Sequence, residues 1–164
     1  MSTALPPRPR SAPAHTARIS IVASLYNDKY TNALIENCRD ELAKILPNTQ
    51  LDIARVPGAF EIPVACEVLL NEPQPPQAVI ALGLIIQGKT QHANLVADSV
   101  TKSLQTMAIR HQTPVIHEVI LVEDEQQAHA RCMGEELNRG REAARAAHMM
   151  AELFGAMKVT ALKK

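Results

Sequence analysis

A nine-residue apolar run, Ala78–Ile86, constrains the fold more than any other feature of this sequence. An apolar run with β-branched members predicts a strand that is covered by helices on both faces, because all its side chains avoid water. The run is too short to cross a bilayer, which takes about 20 residues in a helix. It therefore predicts the central strand of a buried sheet.

Strand and helix patterns alternate on both sides of this run. Segments rich in β-branched residues predict three more strands, at about 19–23, 50–56 and 115–122. Apolar residues at helical spacing predict helices at about 28–46, 61–70, 91–112 and 125–154, the last with an interruption near 138–140. Such alternation requires right-handed crossovers. The sequence thus predicts a flavodoxin-like α/β/α sandwich of three layers around a four-stranded parallel sheet.

The 164 residues suit a single domain. Residues 1–17 contain four of the prolines and no apolar stretch, which predicts a flexible Pro-rich N-terminal tail, whereas 18–164 form the domain. Cys38, Cys66 and Cys132 are odd in number and lack C-x-x-C spacing. They are typical of reduced, buried cysteines in a cytoplasmic protein.

The equal numbers of acidic and basic residues argue against some classes of binding partner. Lysine plus arginine and aspartate plus glutamate both number 17, so the formal net charge is zero. Nucleic acids and anionic membrane surfaces attract proteins through a basic field, so neither is expected as the main partner. A protein without net charge does not repel its own copies, which favours self-assembly.

In a parallel sheet of this kind, ligands bind beyond the carboxyl ends of the strands. Tyr26 and Asn27 follow the first predicted strand, Phe60 and Glu61 follow the second, and His92 follows the third. A ring and an amide suit a planar heterocycle, a carboxylate accepts hydroxyl protons, and an imidazole moves protons near neutral pH. Each side chain also has a purely structural interpretation: a rim tyrosine, a carboxylate at a helix start, or a surface histidine. Motifs for nucleotide phosphates and for metal pairs are absent from the sequence.

Four segments at these positions resemble the lumazine synthase family. Residues 56–63 read V-P-G-A-F-E-I-P, which matches a specific signature of that family. Residues 81–92 resemble its A-L-G-x-V-I-x-G-x-T-x-H segment, 23–27 its A-S-R-F-N segment, and 138–140 its N-K-G segment. The likeness runs over about 18–153, nearly the whole predicted domain.

The resemblance implies the penultimate step of riboflavin synthesis, with no metal and no organic cofactor. A ribitylaminopyrimidine and 3,4-dihydroxy-2-butanone 4-phosphate would condense to 6,7-dimethyl-8-ribityllumazine, in a site shared between subunits of a pentamer. His92 would transfer protons. Pyrimidine and ribityl contacts would come from Tyr26, Asn27, Ala59, Phe60, Glu61, Leu84, Ile85, Ile86 and His117. Phosphate contacts would come from Lys89, Thr90 and a neighbouring subunit's Arg131, with Arg139 as a further candidate.

The sequence departs from the family pattern in three places. His117 stands where the family has a phenylalanine from the neighbouring subunit, and Gln87 stands where arginine is common. Residues 133–137 lack the family's glycine and lysine pattern. Three hypotheses follow: an active synthase, a paralogue that binds flavin-like ligands or forms a shell with little turnover, and a flavodoxin-like regulatory module. The third lacks a recognisable phosphoacceptor or cofactor loop. The resemblance allows a pentamer, a decamer or a sixty-subunit shell.

Overall fold

The computed structural model describes residues 5–12 and 16–161 of the chain. Within these residues, four strands form one parallel sheet in the order β2-β1-β3-β4. The strands are β1 (Arg18–Ser24), β2 (Gln50–Val56), β3 (Ala78–Ile86) and β4 (Val115–Val122). The apolar β3 lies inside the sheet between β1 and β4, and the predicted α/β sandwich is confirmed.

Helices connect the strands. They are α1 (Asp28–Ile45), a 3₁₀ turn (Ala59–Glu61), α2 (Ile62–Leu70), α3 (His92–His111), α4 (Glu125–Cys132) and α5 (Arg139–Ala161). The interruption predicted near 138–140 is the boundary before α5, and α5 runs past the predicted end near Phe154. No helix among the described residues is long and apolar enough to cross a membrane.

Two apolar clusters fill the space on either side of the sheet. One joins α1, α4 and α5 to the strands and includes Leu34, Cys38 and Ala144, all fully buried. The other lies under α2 and α3, with Ile62 and Leu104 at its centre. Because both faces are covered, the remaining accessible parts of the sheet are its edges and its strand ends.

The start of α5 is held tightly against α1. The buried Asn138 accepts a hydrogen bond from the Arg141 amide through Oδ1 and donates to the Gly134 carbonyl, at 3.1 and 3.0 Å. At Gly140, a Cβ atom would overlap the Leu34 carbonyl oxygen of α1. Glycine is therefore required at this position by close approach of two helices.

Residues 5–12 lie against α1 and α5. Arg8 donates two hydrogen bonds to the buried Glu41 of α1, at 2.8 and 2.9 Å. Arg145 of α5 donates to the same carboxylate at 2.7 Å and also to the Pro6 carbonyl. Residues 1–4 and 13–15 of the predicted flexible tail lie outside the described residues.

Candidate active site

A cavity of about 550 Å³ opens at the carboxyl ends of β1, β2 and β3. Its volume is in the range of ordinary small-molecule sites. We call it the strand-end cavity. It is lined by Tyr26, Asn27, Gly58, Ala59, Phe60, Glu61, Leu84, Ile85, Ile86, His92, Ala93, Leu95 and Val96.

Two aromatic rings are exposed at this cavity. The side chains of Tyr26 and Phe60 are 69% and 60% exposed, in a chain that has only two tyrosines and two phenylalanines. The Tyr26 ring lies so close to Gly58 that a Cβ there would come within 3.1 Å of it. The Tyr26 amide donates to the Pro57 carbonyl at 3.1 Å, which joins the loops after β1 and β2. The cavity therefore presents flat apolar surfaces on a fixed backbone.

Asn27 occupies the N-cap position of α1, but its side chain makes no capping hydrogen bond. Its backbone is left-handed, with φ of 57°, and its Nδ2 donates to the Leu84 carbonyl of β3 at 2.8 Å. This bond uses the donor side of the amide. The acceptor, Oδ1, can still receive a proton from a ligand hydroxyl.

Glu61 is anchored through one of its oxygens. Its Oε2 accepts a hydrogen bond from the Gly58 amide at 2.9 Å. A carboxylate has about four acceptor positions. Glu61 therefore keeps capacity for hydroxyl donors while the Gly58 bond fixes its orientation.

His92 is the first residue of α3 and is exposed in the cavity wall. Its amide donates to Thr90 Oγ1 at 3.4 Å. Lys89 and Thr90 lie in the exposed turn that leads into α3, outside the cavity lining. The strand-end cavity thus combines an imidazole with acceptors and rings.

His117, Arg131 and Arg139 lie elsewhere. They line a second pocket of about 250 Å³ together with residues 118–121, which we call the β4 pocket. In a single chain, the residues predicted for one site therefore form two groups on different surfaces.

The hydrogen bonds of His117 define its tautomer. Thr101 Oγ1 donates to the Ala97 carbonyl, so it accepts from His117 Nε2, at 2.8 Å. The Val119 amide donates to His117 Nδ1 at 3.1 Å. The ring is therefore neutral with its proton on Nε2, and burial lowers the pKa of His117.

Glu118 lines the same pocket and points toward α5. Burial raises its pKa to about 8, Arg139 opposes this shift, and Glu142 adds to it. Arg139 donates to Glu142 at 2.6 Å. The β4 pocket thus contains two arginines and a carboxyl group that is neutral at pH 7.

A larger groove, of about 620 Å³, lies at the other end of β4. Its wall is largely apolar, with Ile109, Phe154 and Met157 among its residues, and none of its lining residues is titratable. It holds none of the predicted site residues. The largest of these cavities is therefore not the one that brings the predicted site residues together.

Several residues of these surfaces were missed by sequence reasoning. Leu95 is 68% exposed at the strand-end cavity, beside Val96. The spacing i, i+3, i+4 from His92 would have found both. Thr101 and Glu118 carry no such sequence signal, because their partners are distant in the chain.

Comparison with known proteins gives one consistent result. A family model described as 6,7-dimethyl-8-ribityllumazine synthase matches residues 16–155. A protein of that name from Xanthomonas oryzae pv. oryzae (strain PXO99A) is 38% identical over 140 residues, covering 85% of this chain and 90% of the relative. Proteins of the same name from Polaromonas sp. (strain JS666 / ATCC BAA-500) and Albidiferax ferrireducens are 38% and 36% identical. These matches cover 83% and 84% of this chain, and 86% and 85% of the respective relatives.

Proposed function

The chain belongs to the 6,7-dimethyl-8-ribityllumazine synthase family, and we propose that the strand-end cavity is where it performs the family's reaction. The enzyme condenses 5-amino-6-(D-ribitylamino)uracil with 3,4-dihydroxy-2-butanone 4-phosphate and releases phosphate and water. This is the penultimate step of riboflavin synthesis. The names of the relatives favour the synthase over a ligand-binding paralogue.

The observation that carries the assignment of the site is the composition of the strand-end cavity. The exposed rings of Tyr26 and Phe60 suit stacking on a pyrimidine. The anchored Asn27 and Glu61 retain acceptor oxygens for the hydroxyls of a ribityl chain. Ala59 completes the wall, and the backbone at the end of β3, over Leu84, Ile85 and Ile86, provides polar groups for the edge of the ring.

His92 is proposed as the proton-transfer group. The pyrimidine amine attacks the ketone carbonyl and water leaves as the imine forms; elimination of phosphate and ring closure, with loss of a second water, follow. Each step moves a proton, and an exposed imidazole can both accept and donate one near neutral pH. Holding both substrates close together in the reactive orientation can itself lower the activation barrier by about 7–11 kcal/mol.

The predicted site residues lie partly in the strand-end cavity and partly in the β4 pocket, and an active site between two subunits explains this separation. We propose that the β4 pocket of one subunit closes the strand-end cavity of its neighbour, bringing His117 over the pyrimidine. Arg131, with Arg139 nearby, would then bind the phosphate together with Lys89 and Thr90. Exposed apolar residues on α2 and α3 support an interface, among them Val64, Val68 and Ile109.

We propose a pentamer as the basic assembly, alone or combined into a decamer or a sixty-subunit shell. Near-zero net charge favours such self-assembly. We also propose a cytoplasmic location, which is supported by the three buried cysteines, all of them unpaired thiols.

The test is an assay of the purified chain with both substrates, following the absorbance of the lumazine product. Wild type should turn over, and His92→Ala should lower kcat by about 10²–10⁴-fold while pyrimidine binding persists. His129→Ala is the matched control, because His129 is exposed on α4 and lines neither pocket. Tight binding of flavin-like ligands without product formation would instead support the paralogue.

A further inference from the structure

Glu118 is a half-buried carboxyl group to which the proposed mechanism gives no role. It lies on β4 beside His117, and it lines the β4 pocket together with Arg131 and Arg139. A carboxyl group in a pocket that is proposed to hold a phosphate requires a physical explanation, because an ionised carboxylate would repel that phosphate.

We propose that Glu118 is a positioning residue that sets the charge of the β4 pocket and thereby controls how tightly the phosphate-bearing substrate is held. The inference rests on the proposed function, which places that phosphate at Arg131. When Glu118 is neutral, both arginines can act on the phosphate. When it is ionised, it attracts the Arg139 guanidinium and adds a negative charge to the pocket.

Titratable groups from three helices and from β4 itself face Glu118. Arg139 and Glu142 act on it from α5, Cys38 lies near it on α1 and Cys132 on α4, while His117 precedes it on the strand. Arg131 of α4 lines the same pocket. Arg139 is already paired with Glu142 at 2.6 Å. Ionisation of Glu118 would add a second carboxylate beside Arg139 and would weaken the attraction of Arg139 for a bound phosphate.

Of the groups in this set with a shifted pKa, Glu118 is the one that changes charge between pH 7 and 9. Burial raises its pKa to about 8 and raises the pKa of Cys132 to about 12. Burial also raises the pKa of Cys38 and lowers that of His117, so both stay neutral over this interval. A phosphate monoester has its second pKa near 6 and is already a dianion there.

The expected effect is a rise in KM for the phosphate-bearing substrate, by roughly three- to tenfold from pH 7 to 9, as Glu118 loses its proton. KM for the pyrimidine should stay unchanged by this ionisation, because that substrate carries no phosphate for the ionised carboxylate to repel. Steady-state kinetics with each substrate varied in turn separates the two constants.

Glu118→Gln is the decisive variant, since glutamine cannot ionise and has nearly the same shape. It should remove the rise in KM for the phosphate-bearing substrate while kcat stays near wild type. Glu36→Gln is the matched control, an identical substitution at an exposed position of α1. A wild-type pH profile in Glu118→Gln, or equal changes in kcat and both KM values, would overturn the inference.

A second measurement needs neither turnover nor a variant. Sulfate is a tetrahedral dianion that does not titrate near pH 8. Its binding to the wild-type protein at pH 8 should therefore be accompanied by uptake of about 0.3–0.5 of a proton by Glu118. Calorimetry in two buffers of different ionisation enthalpy measures this uptake. Binding without proton uptake, or no sulfate binding, would contradict the role of Glu118. Failure of the proposed function would appear separately, as absence of lumazine formation at every pH.

Discussion

His117 should make binding of the pyrimidine depend on pH in a limited and calculable way. Its Nδ1 accepts the Val119 amide at 3.1 Å and its Nε2 donates to Thr101 at 2.8 Å. Protonation would place a second N–H on Nδ1, facing the Val119 N–H, and would remove that hydrogen bond. Together with burial, this favours the neutral ring, which is also the form that stacks on a pyrimidine.

The size of the effect follows from the fraction of neutral ring. If His117 kept its ordinary pKa of 6.5, about one-tenth of it would be neutral at pH 5.5, and affinity would fall by about tenfold, or ~1.4 kcal/mol. Because burial lowers this pKa, the loss must be smaller than tenfold. The lowered pKa also affects stability, because the folded state resists protonation of His117 more than the unfolded state does. The free energy of unfolding should fall as pH drops below 6.5 and should stop changing once His117 is protonated in the folded state as well.

The assay is calorimetric titration of a pyrimidine-site ligand from pH 5.5 to 8 with wild type and His117→Phe. His117→Phe should bind the ligand more tightly, and its affinity should change less with pH. Any effect of His92 on the affinity is present in both proteins and cancels in the comparison. His117→Phe loses the two hydrogen bonds of the imidazole, so we expect its free energy of unfolding to fall by about 1–3 kcal/mol. Denaturant unfolding checks that both proteins are folded at each pH. An identical affinity profile in His117→Phe would refute the placement of this residue over the ring.

Three further predictions concern stability and the second substrate. Gly140→Ala should cost about 2–4 kcal/mol in denaturant unfolding, because its Cβ would meet the backbone of α1. Gly155→Ala, a helical glycine with no atom within 4 Å of an added Cβ, should instead stabilise by about 0.5–1 kcal/mol; equal effects would contradict the packing account. For Glu41, burial favours a higher pKa, but the hydrogen bonds from Arg8 and Arg145 outweigh it and lower the pKa. The ionised Glu41 should therefore stabilise the fold above its ordinary pKa of 4.5, and this stabilisation should be lost as pH falls below that value. Glu41→Gln should remove this pH dependence of stability. A loss of less than ~1 kcal/mol in the free energy of unfolding of Glu41→Gln would show that the ion pairs with Arg8 and Arg145 are unimportant. Arg131→Ala should raise KM for the phosphate-bearing substrate and leave that for the pyrimidine unchanged, and an equal rise in both would argue against a phosphate role.

The strands were predictable because their signals are local. The bounds of β2, β3 and β4 agree with the prediction, since β-branched runs there end at prolines, glycines or polar turns. The end of α5 was predicted too early, near Phe154 rather than Ala161. Gly155 directly after Phe154 is typical of a helix end, but α5 continues through it.

The strand-end cavity was also largely predictable, because parallel topology brings the carboxyl ends of β1, β2 and β3 together. The roles of individual side chains were not. The Asn27 side chain bonds to Leu84, 57 residues away, and makes no capping hydrogen bond to α1. Likewise, the environment of Glu118 depends on α5, which follows it in sequence but packs beside it only in the fold. Such contacts depend on tertiary packing that no local pattern encodes.

The central claim is that one active site is built from His92 of one subunit and Arg131 of its neighbour. It is tested most directly by co-expressing His92→Ala and Arg131→Ala chains with different affinity tags. The assay uses a concentration of the phosphate-bearing substrate far below its KM in Arg131→Ala, where each variant alone is nearly inactive. In randomly mixed rings, about a quarter of the sites would combine an intact His92 with an intact neighbouring Arg131. We predict recovery of about a quarter of wild-type turnover in doubly tagged assemblies. Turnover no higher than that of the single variants, in assemblies shown to contain both chains, would contradict a shared site.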